Sequence, residues 1–258
     1  MLLLGRFPVD GVFWIVKYPK LGNRGRSRSG KMKAFVKKIP ILGKRIQRIY
    51  RWLNPSKRFP GSKHYWIERY GAGGNSGDGS YSKLAEFKAR ILNQFVGEQQ
   101  ISTVIEFGCG DGNQLRYAEY PKYTGYDISP DAIKLCREIF GDDPDKDFHL
   151  VGDYTGETAE LVLSLDVIFH LVEDDVFDTY MRTLFEASTK WVVIYSSNYD
   201  DRRKGKSRHV RHRMFTDWIE QNRPDWKLIR HIPNEYEFKG DTSTGSFSDF
   251  YIFRRPEE

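Results

Sequence analysis

Cysteine is scarce in this chain, with only Cys109 and Cys136 among 258 residues. Two cysteines do not make a disulfide framework, and neither has the companions of a metal ligand, so no metal is assigned and a reducing, cytoplasmic setting fits best. Apolar runs long enough to span a bilayer are also missing. Residues 1–18 are apolar in places, but Pro8 and Asp10 interrupt them and no small-residue cleavage site follows, so no secretory signal is expected. Acidic residues are nearly absent from residues 1–69, which hold 18 Lys/Arg against Asp10 and Glu68 alone. The remainder holds 23 basic and 33 acidic residues, so the formal net charge of +6 averages two unlike parts. The basic character belongs to the N-terminal segment.

Residues 19–33 are mostly Gly, Ser and Arg/Lys with little to pack, the composition of a disordered segment. From Pro40 the pattern changes. Leu42, Ile46, Ile49, Tyr50 and Leu53 fall on one helical face and Lys44, Arg45, Arg48 and Arg51 on the other, with Asn54-Pro55 ending the run. A basic amphipathic helix over 40–53 suits an anionic membrane surface, making the protein peripheral there, or docking on its own domain with a solvated basic face. The division expected is a basic extension over 1–60, an N-terminal cap over 61–100, and a main domain over 101–258.

The most informative stretch is Val104-Ile-Glu-Phe-Gly-Cys-Gly-Asp-Gly-Asn-Gln-Leu115. A β-branched, apolar run reads as a buried strand, breaks at alternate glycines, and resumes as a helix expected near 113–119. Gly108, Gly110 and Gly112 leave no Cβ between backbone and ligand, so a nucleoside-sized cofactor can press against the main chain. A dinucleotide fingerprint would place its third small residue where this chain has Asn113; the pattern here is E-x-G-x-G-x-G, with Glu106 closing the strand. Nineteen residues past Gly108, Asp127 ends a second short strand and is followed by Ile128. A carboxylate at that place can accept both hydroxyls of a ribose. This pair of motifs resembles the first motif and the following acidic strand end of class I S-adenosylmethionine-dependent methyltransferases.

Strands expected near 123–127, 147–151, 159–165 and 191–195 alternate with helices near 130–140 and 174–187. A helix near 215–222 and strands at 226–232 and 248–253 complete the chain. The resulting fold class is α/β: a Rossmann-like, doubly wound, mostly parallel seven-stranded sheet with an antiparallel C-terminal hairpin.

In such a sheet the ligand lies beyond the carboxyl ends of the strands. Asp153, after the third strand, is placed to receive an adenine amino group, with Tyr154 against the ring; a solvated turn is the competing reading of Asp153. Ser164-Leu165-Asp166 closes the fourth strand, and His170 follows four residues later. Before the first strand, the glycine-rich stretch 71–81 is bracketed by Tyr70 and Tyr81 and reads as a mobile loop or a linker; by resemblance to class I methyltransferases it stands where they place a lid over the methionine end of the cofactor. Methyl transfer to a hydroxyl is helped by a base, for which His170, His209 and His212 are the candidates, each with a structural role as its alternative. Residues 202–213 carry seven Lys/Arg and two His at the expected active-site rim, and Asn198, Arg211 and Arg213 with Asp166 are the substrate-binding candidates.

Together with Tyr65-Trp-Ile-Glu-Arg-Tyr70, Leu163-Ser-Leu-Asp-Val-Ile-Phe-His170 and His209-Val-Arg-His-Arg213, these motifs resemble class I methyltransferases associated with bacterial cell-surface polysaccharide enzymes. The resemblance covers residues 63–255. It implies S-adenosyl-L-methionine as cofactor; the reaction expected is O-methylation of an acidic or phosphorylated glycan, the anionic acceptor being read from the rim cluster and the basic helix. RNA methylation is the alternative enzyme, though no Asn-Pro-Pro-Tyr-type motif follows the fourth strand and nucleic acid is the less favoured partner. A cofactor-binding scaffold without activity is the third reading.

Overall fold

Strand residues alternate between two helical layers, and that alternation builds the molecule. The computed structural model describes residues 59–201 and 207–256. The expected helix over 40–53, with most of the basic extension, lies outside them.

Seven strands run β1 (Thr103–Phe107), β2 (Lys122–Asp127), β3 (Lys146–Leu150), β4 (Ala159–Leu165), β5 (Ser188–Ser196), β6 (Lys227–Ile232) and β7 (Asp249–Arg254). Their order in the sheet is β3-β2-β1-β4-β5-β7-β6. The first five are parallel, and β7 inserts antiparallel between β5 and β6. Among the described residues, five helices accompany them: α1 (Ser62–Gly71), α2 (Ser82–Glu98), α3 (Pro130–Phe140), α4 (Asp174–Glu186) and α5 (Phe215–Asn222). Period-two alternation sends Val104, Val193 and Tyr195 to a core shared with α2 and α3, while Ile105, Val192 and Ile194 join α4 and α5 on the other face. Every strand near the middle is thus covered on both sides, the condition for a parallel sheet.

The order reverses between β1 and β4, whose carboxyl ends open a crevice. Local chemistry reinforces that edge. Ser129 caps α3 by accepting from the Ala132 amide at 3.4 Å, and Pro130 occupies the first turn, where its missing N–H costs nothing.

Two local expectations change. The helix expected near 113–119 is only a 3-10 turn, Gln114–Tyr117. Pro121 disfavours helical backbone just before it, and Asn93 of α2 holds the turn's end by donating to the Tyr117 carbonyl and accepting from the Glu119 amide. The aromatic segment 62–71, for which no helix was expected, is α1. Its start is tied down by Ser62, whose amide and hydroxyl both donate to the Glu173 carboxylate at 2.9 and 2.6 Å. Among the described residues, no helix is long and apolar enough to cross a membrane.

Candidate active site

The crevice is a cleft of about 410 Å³ beyond β1, β2 and β4, closed above by α1 and the segment after it. Of the residues singled out in the sequence, Glu106, Gly108, Gly110, Asp127, Ile128, Leu165, Asp166 and His170 line it.

Asp127 ties the floor together. Its carboxylate, 7% exposed, accepts from the Gly110 amide at 3.0 Å and the Ser129 amide at 2.9 Å. Burial lifts its pKa to about 6, against the opposing pull of those amides. Glu106 accepts from the Tyr123 hydroxyl at 2.7 Å, and burial raises it further, to about 7.

The glycines serve packing within the chain as well as ligand approach. All three have positive φ. A Cβ on Gly108 would lie 2.4 Å from Val167, and one on Gly110 would lie 2.3 Å from the Ser76 hydroxyl and 3.0 Å from that of Tyr70. Gly112 turns away from the cleft toward Cys136 and Phe140 of α3. The segment over the cleft is seated on this loop: the Ser76 amide donates to Asp111 Oδ2 at 2.9 Å, the Asp111 amide donates back to Ser76 Oγ at 3.0 Å, and the Tyr81 hydroxyl donates to Asp111 at 2.8 Å. Tyr81 therefore anchors the covering segment from outside the cleft.

His170 sits half-buried beyond β4. Its Nδ1 lies 3.0 Å from the His209 carbonyl, an acceptor only, so Nδ1 carries the hydrogen and Nε2 keeps its lone pair. Burial drives its pKa down to about 3, which leaves the imidazole neutral at pH 7. Trp66 meets this ring edge-on at 4.8 Å, and His209 stacks between it and Tyr65.

Other candidates lie elsewhere. β3 ends at Leu150 and the chain enters a 3-10 turn, Val151–Asp153, so Val151 is the residue that reaches the cleft. Asp153 is exposed beside α3, in a separate hollow. Tyr154 packs edge-on against Phe107 and Tyr126, its hydroxyl bonded to the Glu157 carbonyl. Asn198 pins Thr216 at the start of α5, and His212 Nδ1 pairs with the Ser197 hydroxyl at 2.6 Å. His209 contributes its carbonyl and its ring face to His170.

Arg211 and Arg213, expected at the rim, are both engaged within the chain. Arg211 pairs with Asp174 at 2.8 Å and donates to the Val172 carbonyl. Arg213, 9% exposed, donates to the Leu171 and Val172 carbonyls and Asp174, and lies over the Phe177 ring at 4.6 Å. Carbonyls left over where β4 gives way to α4 need donors, and these two guanidinium forks supply them. Arg213→Ala is expected to lower folding stability by about 2–3 kcal/mol through these lost charge-assisted bonds, measured by urea denaturation. A change below about 0.5 kcal/mol, the range of ordinary surface substitutions, would return Arg213 to the role of a free rim cation.

Two cleft residues were missed. Lys88 of α2, 1% exposed, pairs with Asp166 at 2.9 Å, and Asp166 has φ of +60° and also accepts from Ser248 Oγ. Its signal was a lysine inside the apolar stripe Leu84, Ala85, Leu92. Gln114, 8% exposed, had no signal beyond its place after the glycines.

Seven strands in this order, a glycine loop and an acid closing β2 define a nucleotide-type α/β transferase site. The chain belongs to the methyltransferase-domain family, whose model matches residues 80–236. Among solved structures it resembles the N-methyltransferase NodS from Bradyrhizobium japonicum in complex with S-adenosyl-L-homocysteine, at 14% identity over 76% of this chain and 100% of that one, TM-score 0.59. Magnesium protoporphyrin IX methyltransferase from Synechocystis with bound SAM matches at 12% identity, covering 78% and 100%, TM-score 0.55. The methyltransferase domain of bacterial CtHen1 matches at 18% identity, covering 68% and 100%, TM-score 0.52. At such identities the likeness is one of fold. No curated protein matches the chain in sequence.

Proposed function

We propose that the chain is an O-methyltransferase that uses S-adenosylmethionine to methylate an acidic or phosphorylated glycan or cell-envelope precursor. The donor supplies a methyl group already activated on a sulfonium sulfur. The residues present suit it: Asp127 offers a buried carboxylate at the ribose end, Ile128 and Val151 offer an apolar edge, and a buried Gln114 oxygen faces no protein partner. The chain's own task is alignment, water exclusion and proton removal.

One observation carries the oxygen chemistry. His170 stands beyond β4 with Nδ1 committed to a carbonyl, so Nε2 accepts a hydrogen bond from the acceptor's hydroxyl. Its low pKa still suffices to take the proton as the carbon–oxygen bond forms, because the oxygen then becomes a strongly acidic oxonium. Support for an anionic acceptor moves from the rim arginines to Lys63 on the cleft wall and to the positively charged extension, which suits an anionic membrane surface.

A radiolabelled methyl-transfer screen over cell-envelope extract, small sugars and nucleic acid tests this reading. Label is expected in the anionic glycan fraction; label confined to RNA would replace the acceptor. His170→Ala is expected to lower turnover about 100-fold, the usual scale of general-base loss. S-adenosylhomocysteine affinity should stay unchanged, and full turnover in that variant would remove His170 from the chemistry.

A further inference from the structure

Two charged side chains on the cleft wall are left to a ligand. Both line the cleft, yet among the described residues no hydrogen bond or ion pair engages the ammonium of Lys63 or the carboxylate of Asp175. The charges around them are spent. Lys88 pairs with Asp166, Arg211 and Arg213 with Asp174, Arg69 donates to the Asn75 carbonyl, and Glu173 accepts from the amide and hydroxyl of Ser62.

The two helix starts fix where the free pair stands. Ser62 opens α1 and ties it to α4 twice, by donating to Glu173 and by accepting from the Val172 amide at 2.9 Å. Lys63 and Asp175 each lie within two residues of that tie, so they border the same part of the cleft. Trp66 supplies the apolar wall. It follows Lys63 by three residues, a neighbour on the helix surface, and its indole is wedged between Tyr70 at 5.9 Å and the His170 ring at 4.8 Å. The reacting histidine, an indole, a free cation and a free carboxylate therefore enclose one space of the breadth of a sugar ring.

Each wall matches one part of an acidic sugar. Ring hydroxyls need an acceptor such as Asp175, the ring's C–H surface suits an indole, and a lysine holds carboxylate or phosphate as a point charge. A nucleic-acid strand would ask for a row of free cations along successive phosphates. Among the described residues lining the cleft, Lys63 is the one unpaired cation.

We propose that Lys63, Trp66 and Asp175 form an acceptor subsite for a single acidic sugar ring, with its carboxylate or phosphate on Lys63 Nζ and the hydroxyl to be methylated, on that same ring, at His170. The subsite rests on the O-methyltransferase reading and narrows it, because anion and methylated oxygen then belong to one sugar. The hydroxyl oxygen gains the methyl, its proton goes to His170 Nε2, and the donor's sulfur keeps the electron pair.

Cell-envelope glycan is the probe, used native, after carboxyl reduction with carbodiimide and borohydride, and after dephosphorylation with hydrofluoric acid. Hydrolysis of the radiolabelled native glycan should place the methyl on a sugar that itself carries a carboxylate or phosphate; label on a neutral sugar would overturn the subsite. One of the two treatments should raise the wild-type KM about 10- to 100-fold, the loss of one charge-assisted bond, and so name the anion. Lys63→Gln should raise KM on native glycan by the same factor with kcat and S-adenosylhomocysteine affinity unchanged, and should add nothing on the neutralised form. Asp175→Asn should raise KM on both forms, since it reads hydroxyls. Unchanged kinetics in Lys63→Gln, or equal loss on native and neutralised glycan, would overturn the subsite while leaving the enzyme's reaction in place. Label confined to RNA would overturn both.

Discussion

Asp127→Asn is expected to weaken S-adenosylhomocysteine binding by on the order of 100-fold, the scale of two hydrogen bonds to a charged acceptor. The two carboxylate oxygens are not spare. One accepts from the Gly110 amide and the other from the Ser129 amide, so a single side chain aligns the glycine loop with the start of α3 while facing the cleft. An amide in its place turns one acceptor into a donor aimed at a backbone N–H. The pH dependence carries the sign. Asp127 titrates near 6 and Glu106 near 7, both raised by burial. If the donor's hydroxyls and ammonium bind the ionised forms, affinity rises from pH 5 to about 7 and flattens above. Stability of the unliganded fold moves the other way. The native state holds these protons over a range where the unfolded chain, titrating near 4, has lost them, so their contribution declines between about pH 4 and 7. Thermal midpoints with and without ligand check both slopes. An Asp127→Asn protein that binds as tightly as wild type, with an unchanged pH profile, would remove Asp127 from the site.

Gly110→Ala is expected to cost more than a methyl group normally does. At φ of +61° an alanine meets left-handed strain of about 1–2 kcal/mol. Its Cβ would also lie 2.3 Å from Ser76 Oγ, so the covering segment must lift and the reciprocal Ser76–Asp111 bonds must break. Gly73→Ala separates the two effects, because Gly73 also has positive φ but nothing within 4 Å of its absent Cβ. Gly110→Ala should open residues 72–80 to limited proteolysis and weaken ligand binding at least about tenfold, the equivalent of one charge-assisted bond. Gly73→Ala should show only modest destabilisation. Equal behaviour of the two variants would mean that strain alone, and not the seating of the segment, matters at Gly110.

The strands and the helices α3, α4 and α5 were legible because burial repeats with the backbone's own period. Val104 and Ile105 face opposite layers, as strict alternation requires, and α3 begins where Ser129-Pro130 announces it. The Asp127 offset was readable for the same kind of reason. Parallel pairing of β1 with β2 places Phe107 beside Tyr126, so the acid after Tyr126 arrives at the level of Gly108. That register needs only strand length and a crossover.

Partners distant in sequence were not legible. The cluster over 202–213 read as free positive charge, yet Arg211 and Arg213 are engaged by Asp174 and by carbonyls some 40 residues away. Lys88 had no partner legible in the sequence; the packing of α2 sets it beside Asp166 and the Tyr195 ring. Composition counts charges; it does not say which are neutralised or enclosed.

The sequence alone determined the sheet, the glycine loop and the acid closing β2, because each depends on local backbone preference or on strand register. The tertiary structure decided the chemistry around them: which cations are spent on carbonyls, which histidine nitrogen is free, and which lysine is enclosed in the cleft. Those outcomes depend on desolvation and on pairing between residues about 40 to 80 positions apart, and no local pattern encodes such meetings.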